Sequence, residues 1–306
     1  MIQVCLIDYI LPANSTRGAF NQFWCRLRRI AALCCLCCLC GLIACSAPPT
    51  TAANSALPVW WQPTNDSYRW YWQLQDTIVT SHDVDIYNID IDTPQSVINE
   101  LKSRGVRLIC YFSVGTVETW RPDTHRFVQR VVGEPYSGYP DERWLDTGNY
   151  PLFADIMTDR LDRCAEKGFD GVEGDNVDAF LHVNPNVEDA VGTSFSITKQ
   201  QSINYVLWLA AQSHKRGLAF GLKNAEAIAV EVVDSVDWML TESCFSHGWC
   251  DDTQIFQEKN KPVFMTEYVE HLDSFVEACA YARRRGLNAI YRDTGLTAGG
   301  RFEECI

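Results

Sequence analysis

Four segments of this chain close in the same way. Ser103-Arg104-Gly105, Glu166-Lys167-Gly168, Lys215-Arg216-Gly217 and Arg284-Arg285-Gly286 each place a glycine just after a basic last turn, and an apolar run comes within a few residues. A glycine there ends a helix in the left-handed conformation and turns the chain into the next element. The feature predicts repeated helix-to-strand passages. Eight short runs rich in β-branched and aromatic residues supply the strands, at 71–74, 84–89, 107–114, 171–174, 219–222, 238–241, 263–266 and 289–291. Helical spacing marks 96–104, 151–167, 198–216, 225–233, 253–259 and 274–285. Eight βα units in roughly 250 residues predict a single α/β domain, a (β/α)8 TIM barrel over 58–306, with an open doubly wound sheet as the alternative. No GxGxxG or GxxxxGK[ST] supports a nucleotide fold. The gap 116–149, with Trp120, Tyr136, Tyr139 and Trp144, is too long for one helix and predicts an insertion on the active face.

Residues 1–45 differ in character, with eight of the fourteen cysteines, four arginines and a single acid, Asp8. Arg26-Leu27-Arg28-Arg29 followed by an apolar run at 30–44 is the pattern of a signal peptide, too short to span a membrane. It ends in Leu42-Ile43-Ala44-Cys45, which resembles a bacterial lipobox and predicts lipidation of Cys45 and a bacterial cell-envelope location; ordinary cleavage after Ala44 or Ala47, with secretion, is the alternative. Residues 46–57 read as a flexible tether. Loss of four arginines and one aspartate takes the net charge from −13 to −16, which excludes nucleic acid as a natural ligand and suits a cationic polymer. Six cysteines remain beyond the leader, and some should pair in an oxidising compartment. Cys244 with Cys250 reads as a loop disulfide, and Cys279 with Cys305 as a second. No CxxC, HExxH or closely spaced histidine pair calls for a metal, and no cofactor is implied.

In a barrel the reacting groups sit where strands end, and here those positions are rich in acids: Asp90, Asp92, Glu173, Asp175, Glu242, Glu267 and Asp293, with Lys223 and Asn224 after the fifth run. A ring of carboxylates without Ser-His or Cys-His partners suits cleavage of a glycosidic bond, which needs one carboxyl to protonate the leaving oxygen and one to attack or stabilise the anomeric carbon. Early tryptophans, Trp72 among them, offer flat faces for sugar rings or plain core packing. Asp175 could instead only cap the next helix, and Glu242 could be a structural ion pair with Lys223 or Arg292.

Several ordered motifs resemble glycoside hydrolase family 114, the endo-α-1,4-polygalactosaminidases: Trp-Tyr-Trp-Gln-Leu at 70–74, Asp-Ile-Tyr-Asn-Ile-Asp at 85–90, Cys-Tyr-Phe-Ser-Val-Gly at 110–115, Gly-Phe-Asp-Gly-Val-Glu-Gly-Asp-Asn-Val-Asp at 168–178, Lys-Asn at 223–224 and Thr-Glu-Ser-Cys-Phe at 241–245. The resemblance implies an endo-acting hydrolase of galactosamine-rich polysaccharide with Asp175 and Glu242 as the catalytic pair. Asp90, Tyr111, Glu173, Asn176, Lys223, Asp293 and Trp72 are the candidates for substrate contact. Asp175 is the favoured nucleophile and Glu242 the favoured acid/base, while retention or inversion stays open. Gly174, Thr241 and Ser243 depart from the family pattern. A non-catalytic polysaccharide-binding barrel and a metal-dependent enzyme of amino sugars are the competing readings.

Overall fold

The computed structural model describes residues 58–182 and 192–305. The leader at 1–45, its Cys45 and the tether at 46–57 lie outside the described residues. The strands in chain order are β1 (Trp70–Gln73), β2 (Ile86–Asp90), β3 (Arg107–Ser113), β4 (Thr116–Glu118), β5 (Val132–Tyr136), β6 (Tyr139–Leu145), β7 (Gly171–Asp175), β8 (Ala219–Lys223), β9 (Trp238–Glu242), β10 (Val263–Tyr268), β11 (Asn288–Arg292) and β12 (Phe302–Glu304). The helices are α1 (Gln95–Ser103), α2 (Ala154–Lys167), α3 (Lys199–His214), α4 (Ala229–Val232), α5 (Cys244–His247), α6 (Gln254–Glu258) and α7 (Val276–Arg285).

The eight runs read as strands are β1, β2, β3 and β7 to β11, each parallel to the next. With β12, which adds antiparallel to β11, they form a nine-stranded, nearly closed sheet. Among the described residues no ladder joins β1 to β11. That seam is tied instead by Trp70 Nε1 donating to the Asn288 carbonyl at 2.8 Å and by Leu74 N–H donating to the Leu296 carbonyl at 3.1 Å. The architecture is an α/β barrel-like domain whose helical ring is less complete than eight regular βα units: among the described residues no helix joins β1 to β2, and 225–233 is a 3-10 turn plus the single turn α4.

Local sequence accounts for the helices. In α2 the buried residues Ile156, Met157, Leu161 and Cys164 recur on one face, and Gly168 closes it at φ 92°. Thr198 and Gln201 form a reciprocal capping box at the start of α3. All four glycines that mark the repeated ending have positive φ.

Alternation along the strands divides the core in two. Residues pointing outward, such as Tyr87, Val172, Phe220, Leu222 and Met265, pack under the helices. Inward residues Trp70, Ile86, Ile109, Ala219, Trp238, Leu240 and Phe264 fill the barrel. Gly221 makes room for the Trp238 ring, since a Cβ there would lie 2.0 Å from Trp238 Nε1. Gly174 points outward into a tight gap, where a Cβ would meet Phe220 and Val114 at 3.1 Å.

The long insertion after β3 folds into a separate antiparallel sheet in the order β4-β6-β5. Three disulfides, Cys110–Cys164, Cys244–Cys250 and Cys279–Cys305, tie β3 to α2, close the loop after β9 and fasten the C-terminal strand to α7. Such bonds point to an extracellular or envelope protein. The first of them has no signature in the spacing of its cysteines. Among the described residues no helix is long and apolar enough to cross a membrane.

Candidate active site

Above its apolar floor the barrel interior becomes polar. Glu173 and Asp175 from β7, Lys223 from β8 and Glu242 from β9 converge there, at the C-terminal ends of adjacent strands. The Lys223 ammonium lies 2.8 Å from Glu242 Oε2, 3.0 Å from Asp175 Oδ1 and 3.5 Å from Glu173 Oε1. Burial alone would lower its pKa, but the carboxylates of Asp175, Glu242 and Glu173 outweigh that and hold it well above the ordinary lysine value. Its Nζ also lies 5.0 Å from the centroid of the Trp72 ring.

Each carboxylate has further partners. Tyr111 Oη donates to Asp175 Oδ2 at 2.9 Å, and the Asn176 N–H donates to Asp175 Oδ1 at 2.9 Å. Asn224 Nδ2 donates to Glu242 Oε2 at 3.0 Å, while the Tyr268 hydroxyl donates to Oε1. Burial pushes Glu242 upward, yet Lys223, Tyr268 and Asn224 together hold it below the usual carboxylate range. Tyr111 and Tyr268 are both driven well above the ordinary phenol value, first by burial and then by the adjacent carboxylate, so they remain donors. Glu173 is fully buried beneath the pair with Asn88 Nδ2 donating to it. Burial, which Lys223 only partly offsets, pushes it up to about 8.

The backbone is unusual where this cluster is built. Asn176, Asn224 and Ser243 come directly after the ends of β7, β8 and β9 and take positive φ of 63°, 48° and 56°. Non-glycine residues in that region cost of order 1–3 kcal/mol each and concentrate at functional sites. Ser243, one of the departures from the family pattern, is fixed by a 2.8 Å hydrogen bond with His271 Nδ1, and Thr241 Oγ1 lies 3.4 Å from Cys244 Sγ.

A cavity of about 880 Å³ opens over the cluster. Trp72, Asp90, Tyr111, Asp175, Asn176, Lys223 and Glu242 line it, so most of the expected residues meet at one place. Asp90, however, is clamped by Arg121, whose Nη1 and Nη2 donate to its two oxygens at 3.0 and 2.7 Å. Glu173 lies below the lining. Asp293 is not in the lining at all: its Oδ2 accepts from the Thr297 N–H at 3.1 Å and Oγ1 at 2.9 Å, bracing the turn after β11. Asp293 is thus engaged by its own turn through Oδ2 and is not brought into the cavity lining. Glu267 likewise points away and accepts the N–H groups of Phe245 and Ser246 at 2.8 and 3.1 Å. Asn224 and Tyr268 touch Glu242 directly and Asn88 touches Glu173, yet none of the three is among the residues expected at the substrate. Among the described residues, Cys244, Cys250 and Glu267 have ligand-like spacing, but both sulfurs are committed to a disulfide.

The model of glycoside-hydrolase family GH114 matches residues 50–305. The chain belongs to glycoside hydrolase family 114. Among solved structures, this GH114 domain is similar to Ega3 of Aspergillus fumigatus, crystallised in complex with galactosamine, with 31% identity over 81% of this chain and 100% of that one and a TM-score of 0.71. The glycoside hydrolase domain of PelA from Pseudomonas aeruginosa is 14% identical over 77% of this chain and 97% of that one, with a TM-score of 0.58, a likeness of fold alone. No curated protein matches the chain.

Glu173 gives the GH114 domain a distinctive pH response. It holds its proton to about pH 8 when folded, against an ordinary value of 4.5, so the folded state is the proton-richer one between those values. The stabilisation is complete below about pH 4.5 and is lost as pH rises toward 8, with a slope of at most about 1.4 kcal/mol per pH unit. In urea unfolding, wild type should lose stability relative to Glu173→Gln between pH 5 and 8. Parallel curves would show that Glu173 is ionised throughout.

Proposed function

We propose that this domain is an endo-acting hydrolase of α-1,4-linked galactosamine polymers that works by double displacement, with Asp175 as nucleophile and Glu242 as acid/base. One observation carries the reading: the same ammonium lies 3.0 Å from an oxygen of Asp175 and 2.8 Å from an oxygen of Glu242, so these oxygens are separated by no more than the sum, 5.8 Å. Carboxyls so paired are what glycoside hydrolysis requires, about 5–5.5 Å apart in retaining glycosidases and roughly 6.5–9.5 Å in inverting ones, and the configuration of the product distinguishes the two.

Asp175 is the deeper of the two and is oriented by Tyr111 and Lys223, as a nucleophile must be. It attacks the anomeric carbon while Glu242 protonates the departing glycosidic oxygen, which requires that Glu242, held ionised in the free enzyme by Lys223, Tyr268 and Asn224, take up a proton as the polymer binds. Glu242 then takes a proton from the water that releases the sugar from Asp175. The Lys223 contact that could have made Glu242 merely structural reaches Asp175 as well, and both acids line the cavity. The helix-cap alternative for Asp175 has less support, since its side chain is engaged by Tyr111 and Lys223.

Galactosamine as the substrate unit rests on the likeness to Ega3 and on the acidic balance of the chain. Endo action rests on the family resemblance and fits a cavity that extends to both sides of the acids, from Gln75 and Leu296 to Trp120 and Tyr136. The eight parallel strands favour a (β/α)8 barrel spanning 58–306. The leader pattern supports removal of 1–45, lipidation of Cys45 at a bacterial envelope and a tether at 46–57.

Two experiments test these readings. With partly deacetylated α-1,4-galactosaminogalactan, wild type should release short galactosamine oligomers, while Asp175→Asn and Glu242→Gln should each lose about a thousandfold or more in kcat. Wild type that binds the polymer without cutting it would make the domain a binding module. Metabolic labelling with a fatty acid should mark the full chain but not Cys45→Ala; label retained in the variant would remove the anchor.

A further inference from the structure

Glu142 is a buried carboxylate that the two-acid mechanism does not use. It lies on β6 directly opposite Glu118 of β4, and like charges so placed repel each other. The nearby cations serve only one of them. Arg121 contacts Glu118 at 2.5 Å through Nε and at 2.7 Å through Nη2, and Arg160 Nη1 approaches Glu118 to 3.6 Å. Glu142 has no salt bridge among the described residues. Its Oε2 accepts from Thr116 Oγ1 at 2.5 Å, and its Oε1 has no hydrogen-bond partner among those residues. The residue is only 6% exposed, yet it lines the cavity. A buried carboxylate without a cation is costly unless a ligand supplies one. Aromatic faces flank the position on the same insertion: Tyr139, stacked on Tyr136 with centroids 5.0 Å apart, and Trp120, which is 56% exposed at the cavity wall.

We propose that Glu142 receives the ammonium of an unacetylated hexosamine unit, with Tyr139 and Trp120 presenting ring faces to the sugars on either side, so that the insertion selects free-amine over N-acetylated stretches of polymer. The proposal rests on the amino-sugar reading of the cavity. An ammonium at hydrogen-bond distance from Oε1 supplies the missing cation. An N-acetyl group removes that charge, adds bulk and leaves the carboxylate uncompensated.

The test is calorimetric binding of an α-1,4-linked galactosamine oligomer and its fully N-acetylated counterpart to wild type and Glu142→Gln at about pH 7, where the sugar amine carries its proton and Glu142 is partly ionised. Wild type should prefer the amine form, and the substitution should cut that preference by about tenfold or more. No preference in wild type, or an undiminished preference in a folded variant, overturns the proposal. If Glu142→Gln fails to fold, wild type alone decides. Burial pushes Glu142 up to about 7, with Glu118 and Asp175 raising it and Thr116 and Arg121 opposing them; Tyr111 and Tyr139 are the other titratable groups facing it. The preference should therefore fall below about pH 7 as Glu142 takes a proton and fall again in the alkaline range as the sugar amine loses its own, and a preference that is constant across that whole range overturns the proposal. Binding is read independently of cleavage, so preference without turnover keeps this subsite and removes the hydrolase reading, and turnover without preference does the reverse.

Discussion

The ammonium of Lys223 is the contact on which the polar half of the barrel depends. Three carboxylates from two strands face one another at the floor of the cavity, and without a cation their mutual repulsion would drive protons onto them or push their side chains apart. One lysine, itself costly to bury, offsets that repulsion at distances of 2.8 to 3.5 Å. The arrangement sorts the acids by depth. Glu173, at the bottom, keeps its proton; Glu242, nearer the opening, is held ionised by Lys223 and its neutral donors.

The fold supplies this geometry through strand parity and through the residue that terminates each strand. Positions two apart share a face, so Glu173 and Asp175 point together into the barrel, and Lys223, opposite Leu240 and one inward-facing position before Glu242, reaches both carboxylates with its long side chain. The left-handed residues at 176, 224 and 243 then turn the chain abruptly. At the first two of these the asparagine itself contributes, Asn176 through its backbone N–H and Asn224 through its side chain. Backbone approach is equally constrained beside them: a Cβ on Gly115 would lie 1.7 Å from the Asn176 carbonyl oxygen. The β4-β6-β5 sheet contributes Glu118, Tyr136, Tyr139 and Glu142 to the cavity wall.

Much of this is legible in the residues. Apolar runs ending in acids locate the strands and, with them, Asp175, Glu242 and Lys223. Tyr268 escapes because the apolar run ends at residue 266, whereas β10 continues to Tyr268. Asn88 escapes because a single amide inside an apolar strand carries no local signal; only its pairing with Glu173, 85 positions away, gives it a role. Glu142 belongs to an insertion where hydrophobic periodicity is lost, so no pattern distinguishes it from a solvated acid. For Asp293, strand-end position alone does not say whether a carboxylate turns toward the cavity or toward its own loop.

The most direct test of the central claim is the configuration of the first-formed product. Proton NMR at early times, before mutarotation, should show the newly released reducing end appearing as the α-anomer, the outcome of the double displacement proposed for Asp175 and Glu242. First appearance of the β-anomer would mean inversion, and Asp175 would then have to be reassigned from nucleophile to the base of a direct displacement.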